Sequence, residues 1–307
     1  MAHVDTQTRS QPAAQSMPPR PQRDWPFRVT PLHPALGCEI SGITLADAVS
    51  PKLFAKVYEA FLDYELILFR DVDLPPATQV AFAKNFGEVN IHVLSQYHGY
   101  GHPEIYMLSN LDKDGKPSGK HPDRGTLYWH TDGSWKERTG QATMMYSETV
   151  PPPGDGGQTQ FADMYAGYDL LPAAIKQKID GKNAIHNFTF SRQRRHGEDP
   201  LTAKQSAEVP PVSHPIVRTH PETGRKAVFL GDHAECIEGM PYDEGRALIE
   251  EINVLATPPH NVYSHTWKPR ECMVWDNRCT LHRATGFDEA RFTRVMRRCT
   301  ITGDKPF

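Results

Sequence analysis

Apolar side chains recur along this chain at two different periods, and the change falls near residue 104. In Phe54-Ala-Lys-Val-Tyr-Glu-Ala-Phe-Leu-Asp-Tyr, residues Phe54, Val57, Tyr58, Phe61 and Leu62 keep the three-and-four spacing of one helical face. The apolar run Leu66-Ile-Leu-Phe, closed by Arg70, does not alternate and predicts a short strand buried on both faces. Residues 78–86 predict a second short amphipathic helix, ended by Gly87. Beyond residue 104 the apolar runs shorten and are bounded by Gly, Pro and Asp, at 105–108, 142–148, 159–162, 216–219, 227–230, 272–275 and 293–301. That rhythm predicts a mainly β fold with flanking helices, a sandwich or jelly roll, interrupted by helices near 168–179 and 243–256. The polar, proline-flanked stretch 192–211 has no period and reads as a surface loop or lid.

Composition adds mostly exclusions. Residues 1–25 are rich in Pro, Gln, Ser and Arg and have little to bury, so a disordered tail is expected before one domain over 26–307. A net charge of −3 in 307 residues gives no electrostatic case for nucleic acid or an anionic membrane as partner. No apolar run approaches a membrane span. Cys38, Cys236, Cys272, Cys279 and Cys299 are odd in number and scattered. They fit neither a disulfide framework nor a CxxC clip, so a cytoplasmic protein is expected.

Chemistry enters at His130-Thr-Asp132. Residues two apart on an extended segment point the same way, so one imidazole and one carboxylate are presented together. In a chain with 15 histidines such a tripeptide alone is unremarkable. Its setting, Tyr128-Trp-His-Thr-Asp-Gly-Ser-Trp135, and the distant Val274-Trp-Asp-Asn-Arg-Cys-Thr-Leu-His282 change the weighing. Two His and one carboxylate on one face of an octahedron suit a non-haem Fe(II) oxygenase. His233, His260 and His265 read as structural or exposed. At the end of the chain, period 2 puts Arg294, Met296, Arg298 and Thr300 on one face of a strand and Val295, Arg297 and Cys299 on the other.

Leu66-Ile-Leu-Phe-Arg, Ala81-Phe-Ala-Lys-Asn-Phe-Gly, Trp129-His-Thr-Asp, Gly156-Gly-Gln-Thr-Gln-Phe-Ala-Asp-Met-Tyr, Trp275-Asp-Asn-Arg and the closing Arg-Arg-Cys-Thr-Ile follow one another in a telling order. That order resembles the taurine dioxygenase and 2,4-dichlorophenoxyacetate dioxygenase family of Fe(II)/2-oxoglutarate enzymes, over nearly all of residues 27–307. The resemblance implies a double-stranded β-helix (jelly-roll, cupin-like) core and an oxygenase that uses O2 and releases succinate and CO2. It carries the iron-ligand roles onto His130, Asp132 and His282. It also puts the far carboxylate of 2-oxoglutarate on Arg294 and Thr159, with Arg291 as the fallback if the register slips by the extra residue after His282. Asp132 argues against a halogenase variant, which needs a small residue there.

For the primary substrate the resemblance points to an anionic small molecule held by Arg298, with His92 and His186 as pocket histidines. Leu94 and Ser95 stand where a taurine-type enzyme carries an aromatic. Thr126-Leu-Tyr-Trp before His130 lacks that branch's Asn. The stretches Pro210-Pro-Val-Ser-His-Pro and Gly231-Asp-His-Ala-Glu-Cys read more like the phenoxyacetate branch. An aryloxyalkanoate or other aromatic carboxylate is therefore expected, with taurine or an alkylsulfonate as the alternative. A zinc hydrolase on a cupin-like scaffold would need neither a buried Arg on the last strand nor the Gly-Gly-x-Thr element, and a non-catalytic binding module would tend to use loop aromatics. A homo-oligomer is expected by the same resemblance.

Overall fold

The computed structural model describes residues 20–21, 23–194 and 201–307. Most of the expected tail therefore lies outside the described residues. Its last part is tied down: Arg20 lies over the Tyr64 ring, 4.4 Å from its centroid, and Arg23 pairs with Asp63.

A nine-stranded sheet dominates the molecule. Its path runs Arg28–Pro31, Cys38–Ser41, Leu66–Phe69, Cys272–Asp276, Gly140–Thr149, Val295–Thr302, His102–Ser109 and His98–Gly99, with Val89–Asn90 paired to the C-terminal strand off that path. A three-stranded sheet of Val262–His265, Thr159–Asp163 and Thr280–Ala284 faces it. The alternation of side chains shows why these runs lack a polar face. Leu66, Leu68, Met273, Trp275 and Met296 pack inward with Phe161 of the small sheet, while Ile67, Phe69, Cys272, Val274 and Cys299 pack outward against helices. Strands covered on both sides must be apolar throughout. This is the mainly β fold with flanking helices that the sequence pattern predicts.

The outer cover of the large sheet is the pair of helices Pro51–Tyr64 and Pro76–Phe86, whose Val57, Phe61, Val80 and Phe82 join that cluster. Behind the small sheet lie Met164–Leu170, Ala173–Ile179 and Tyr242–Ala256. The helix expected over 168–179 is thus two helices. Pro172 holds Leu171 extended at ψ 135°, and Asp163 caps the first helix by accepting from the Tyr165 and Ala166 N–H groups at 2.7 and 3.1 Å. The stretch expected as a loop over 192–211 carries the end of the helix Phe188–Arg194 and a further helix, Ala203–Glu208. The latter is started by a capping box between Thr202 and Gln205, a signal legible in the sequence. Among the described residues no helix is long and apolar enough to cross a membrane.

One buried ion network holds the turn before the distal histidine. The Arg278 guanidinium donates to both Asp276 oxygens at 2.8 and 2.7 Å, and His220 Nε2 lies 3.2 Å from the same carboxylate. Burial alone would raise the Asp276 pKa, but Arg278 and His220 outweigh it and hold the carboxyl well below the usual carboxylate range. Asp276→Ala leaves the buried Arg278 with the partly exposed Glu222 in place of a buried carboxylate and is expected to cost about 3 kcal/mol, read as a lowered melting temperature. Because the folded pKa is depressed, this contribution is full above the unfolded value of ~3.9 and is lost as pH falls below it. Thermal melts of Asp276→Ala and wild type should converge in strong acid.

Candidate active site

The distal histidine is placed by sheet pairing. His282 stands opposite Phe161 in the small sheet, on the inward face, while its neighbour Leu281 packs outward. His130 reaches it through a two-way backbone bridge, His130 N–H to His282 O at 3.0 Å and the reverse at 2.8 Å. This single bridge brings together residues that are 152 apart in the chain.

Asp132 is positioned by the Trp275-Asp-Asn-Arg turn. Thr131 Oγ1 donates to Asn277 O at 2.6 Å, and Trp275 Nε1 donates to Asn277 Oδ1 at 3.1 Å. Asn277 Nδ2 then donates to Thr143 Oγ1, whose hydroxyl donates to Asp132 Oδ2 at 2.5 Å. After Asp132 the chain must double back, which Gly133 permits at φ +72°; a Cβ there would meet Gly140 N at 2.9 Å.

The three side chains offer N, N and O atoms that all lie within 4.8 Å of one another. Asp132 Oδ1 is 3.9 Å from His130 Nε2, and Oδ2 is 3.7 Å from His282 Nε2. His130 Nδ1 is spent on the Tyr128 carbonyl at 2.7 Å, which leaves Nε2 facing its companions. Burial pushes the His282 imidazole well below its ordinary value, helped by His130, so it stays neutral and able to donate a lone pair. Burial opposes the Asp132 charge, but Arg298, His282 and His130 keep the carboxyl ionised. A carboxylate and two imidazoles turned to one point, with their remaining atoms tied to the scaffold, fit a divalent transition metal.

Beside the trio opens a cleft whose walls include Tyr106, Trp135, Phe188, Arg192 and Arg298. Arg298 Nη1 is 3.3 Å from Asp132 Oδ1, and its guanidinium lies 4.6 Å from the centre of the Tyr106 ring. Trp135 and Phe188 stack at 4.6 Å. His92 lines the cleft too; it accepts from Leu94 N–H through Nδ1, and burial with Arg298 nearby pushes it down to about 3. It can offer a hydrogen bond there but not a positive charge.

Arg294 is 4% exposed, and burial lowers its pKa to about 10 with no carboxylate to offset it. Its Nε has no hydrogen-bond partner among the described residues. The backbone before it is clamped by Asn110, which accepts from Arg294 N–H at 2.7 Å and donates to the Phe292 and Glu289 carbonyls. Gly157 comes close as well: a Cβ there would meet Arg294 Cδ at 3.9 Å. Two residues on, Thr159 is buried and its hydroxyl accepts from Trp267 Nε1 at 2.8 Å, so its own proton is free to turn to another acceptor. The fallback Arg291 is exposed, beside Phe292.

His186 does not reach the cleft. It is fully buried on the strand Asn183–His186, against Phe229 and His214 with ring centres 5.4 Å away in both cases. The histidine that does border the cleft from this part of the chain is His233, read from sequence as structural or exposed. Its ring centre is 6.4 Å from that of His130, and Ser191 Oγ lies 2.8 Å from its Nδ1. His265 is structural as expected, paired with Glu271 at 2.8 Å, and His260 is exposed. Trp267, Asn110, Trp135 and Phe188 were not legible as site residues. Only the Trp in His-Thr-Asp-Gly-Ser-Trp135 lay near enough to a motif to be flagged.

A mainly β scaffold that turns two imidazoles and a carboxylate to one point defines the class of metal-dependent oxygenases. Within that class, the chain belongs to the family described as taurine catabolism dioxygenase TauD, TfdA, whose pattern it matches over residues 28–300. An alpha-ketoglutarate-dependent 2,4-dichlorophenoxyacetate dioxygenase of Burkholderia sp. (strain RASC) is 35% identical over 280 residues, 89% of this chain and 93% of that protein. An (S)-phenoxypropionate/alpha-ketoglutarate-dioxygenase of Sphingobium herbicidovorans is 31% identical, over 91% of this chain and 96% of the other. The crystal structure of AAD-2 in complex with Mn(II) and N-oxalylglycine superposes with a TM-score of 0.80 at 34% identity, covering 91% of this chain and 98% of that one.

Proposed function

We propose that this chain is an Fe(II)- and 2-oxoglutarate-dependent dioxygenase that hydroxylates an anionic aromatic compound, an aryloxyalkanoate or a related carboxylate. The observation that carries the reading is the pairing of the His130, Asp132 and His282 donor set with a buried Arg294 that has no carboxylate of its own. His130, Asp132 and His282 hold the iron. Arg294 pairs with the far carboxylate of 2-oxoglutarate, and the Thr159 hydroxyl donates to the same group. N-oxalylglycine, present in the AAD-2 crystal, has the same outline of oxo-acid end and far carboxylate.

Bound iron supplies the redox and oxygen chemistry that side chains lack, oxidising 2-oxoglutarate to succinate and CO2 while one oxygen atom enters the substrate. The chain's own residues do the positioning. Arg298 holds the substrate's anionic group over the cleft floor, and the Trp135–Phe188 wall excludes water and receives its ring. His92 adds a neutral donor. Hydroxylation beside an ether oxygen gives a hemiacetal, which collapses to a phenol and a 2-oxo acid. Five cysteines without a disulfide support a cytoplasmic setting.

The test is stepwise. Anaerobic addition of Fe(II) and 2-oxoglutarate should give a weak visible charge-transfer band. Succinate release in air should then be stimulated more by phenoxyacetates than by taurine. Taurine outperforming every aryl carboxylate would overturn the substrate assignment and leave the iron chemistry standing.

A further inference from the structure

We infer that His121 is a third binding residue for the far carboxylate of 2-oxoglutarate, donating from Nε2 beside Arg294. This rests on the co-substrate reading above and adds a residue that no motif marked. His121 sits in the loop that follows the strand His102–Ser109 and is 9% exposed. Its Nδ1 accepts a hydrogen bond from the Asp123 N–H at 3.2 Å. A neutral imidazole that accepts at Nδ1 must carry its proton at Nε2. That Nε2 is buried and has no hydrogen-bond partner among the described residues.

The loop is held where Arg294 emerges. Ser118 N–H donates to Asn110 O, the residue that clamps Arg294, and Gly119 N–H donates to Glu289 O. The His121 ring packs 5.8 Å from Phe287, whose backbone bridges Gly156 in the Gly-Gly-Gln-Thr159 turn. Arg294 is near enough that, after burial, its charge does most to push the imidazole down, so the ring stays uncharged. Arg294 Nε and His121 Nε2 are thus two buried donors, neither with an acceptor among the described residues, on segments that the Ser118–Asn110 and Gly119–Glu289 hydrogen bonds hold together. Buried donors are rarely left so, and an incoming carboxylate satisfies both at once.

The experiment titrates anaerobic Fe(II) enzyme with 2-oxoglutarate and, separately, with pyruvate, which has the oxo-acid end but no far carboxylate. His121→Gln keeps an N–H near the Nε2 position, whereas His121→Phe removes it. His121→Asn is too short to present it but can still meet the Asp123 N–H. Apparent affinity for 2-oxoglutarate should weaken about tenfold in His121→Phe and His121→Asn and return to within about threefold of wild type in His121→Gln. Pyruvate titrations should coincide for all four proteins. Unchanged 2-oxoglutarate affinity in His121→Asn overturns the inference, as does equal weakening towards both acids, which marks a structural residue. A wild-type enzyme with no band for either acid sinks the co-substrate reading itself and is distinguishable from both.

Discussion

Replacing Asp132 with asparagine should lower 2-oxoglutarate-dependent turnover by three orders of magnitude or more, about 4 kcal/mol of lost transition-state stabilisation. The side chain is the sole anion among the three converging donors, and its charge survives burial because Arg298, His282 and His130 surround it. Asparagine keeps the volume and an oxygen for the Thr143 hydroxyl, which donates to Asp132 at 2.5 Å. It removes the negative charge that a divalent cation needs and that neutralises Arg298 at 3.3 Å. Asp132→Ala is the poorer test, because an uncompensated Arg298 beside a void would itself cost about 3–5 kcal/mol of stability. Iron stoichiometry of the folded Asp132→Asn protein, measured after gel filtration, should fall well below one. Full iron occupancy with wild-type turnover would remove Asp132 from the metal site.

The residues that were legible are those whose signal is local. A His-x-Asp tripeptide, the two-residue period of an extended strand through 293–301 and an unbroken apolar run at 66–69 each report geometry within one segment. Arg298 does face Asp132, while Arg297 faces the opposite side, 3.1 Å from Glu148. Residues whose position depends on how loops meet were out of reach. Trp267 and Asn110 act only because the chain returns to Thr159 and Arg294 from strands far away in sequence. His186 was misplaced for a related reason. Its strand pairs on both sides, with Val212–Pro215 and, across a register shift, with Ala234–Ile237, and that small sheet turns the ring towards Phe229 instead of the cleft. The short strands Arg28–Pro31, Cys38–Ser41 and Val262–His265 carried too few apolar residues to show a period.

Two arginines four residues apart should separate cleanly by experiment. Arg294 is buried with no counter-charge, whereas Arg298 already has Asp132 on one side and the Tyr106 ring on another. Arg294→Ala should weaken 2-oxoglutarate about 30-fold or more, the ordinary cost of about 2–5 kcal/mol for losing a buried charge-assisted pair. Iron content should not change, since among the described residues Arg294 is held by Asn110 and lies near Gly157, and neither belongs to the three converging side chains. Arg298→Gln should leave the anaerobic band with 2-oxoglutarate in place but abolish the extra succinate release when an aryl carboxylate is added. Arg298→Lys then asks whether the charge or the planar fork matters: a lysine can still neutralise Asp132 but cannot grip a carboxylate at two points. Partial iron binding in Arg298→Gln and its recovery in Arg298→Lys would separate the support given to Asp132 from the grip on substrate. An Arg298→Gln protein that binds iron normally yet shows no band would mean that both guanidiniums serve the co-substrate, and the substrate's anion would then have to be sought at Arg192, which also lines the cleft.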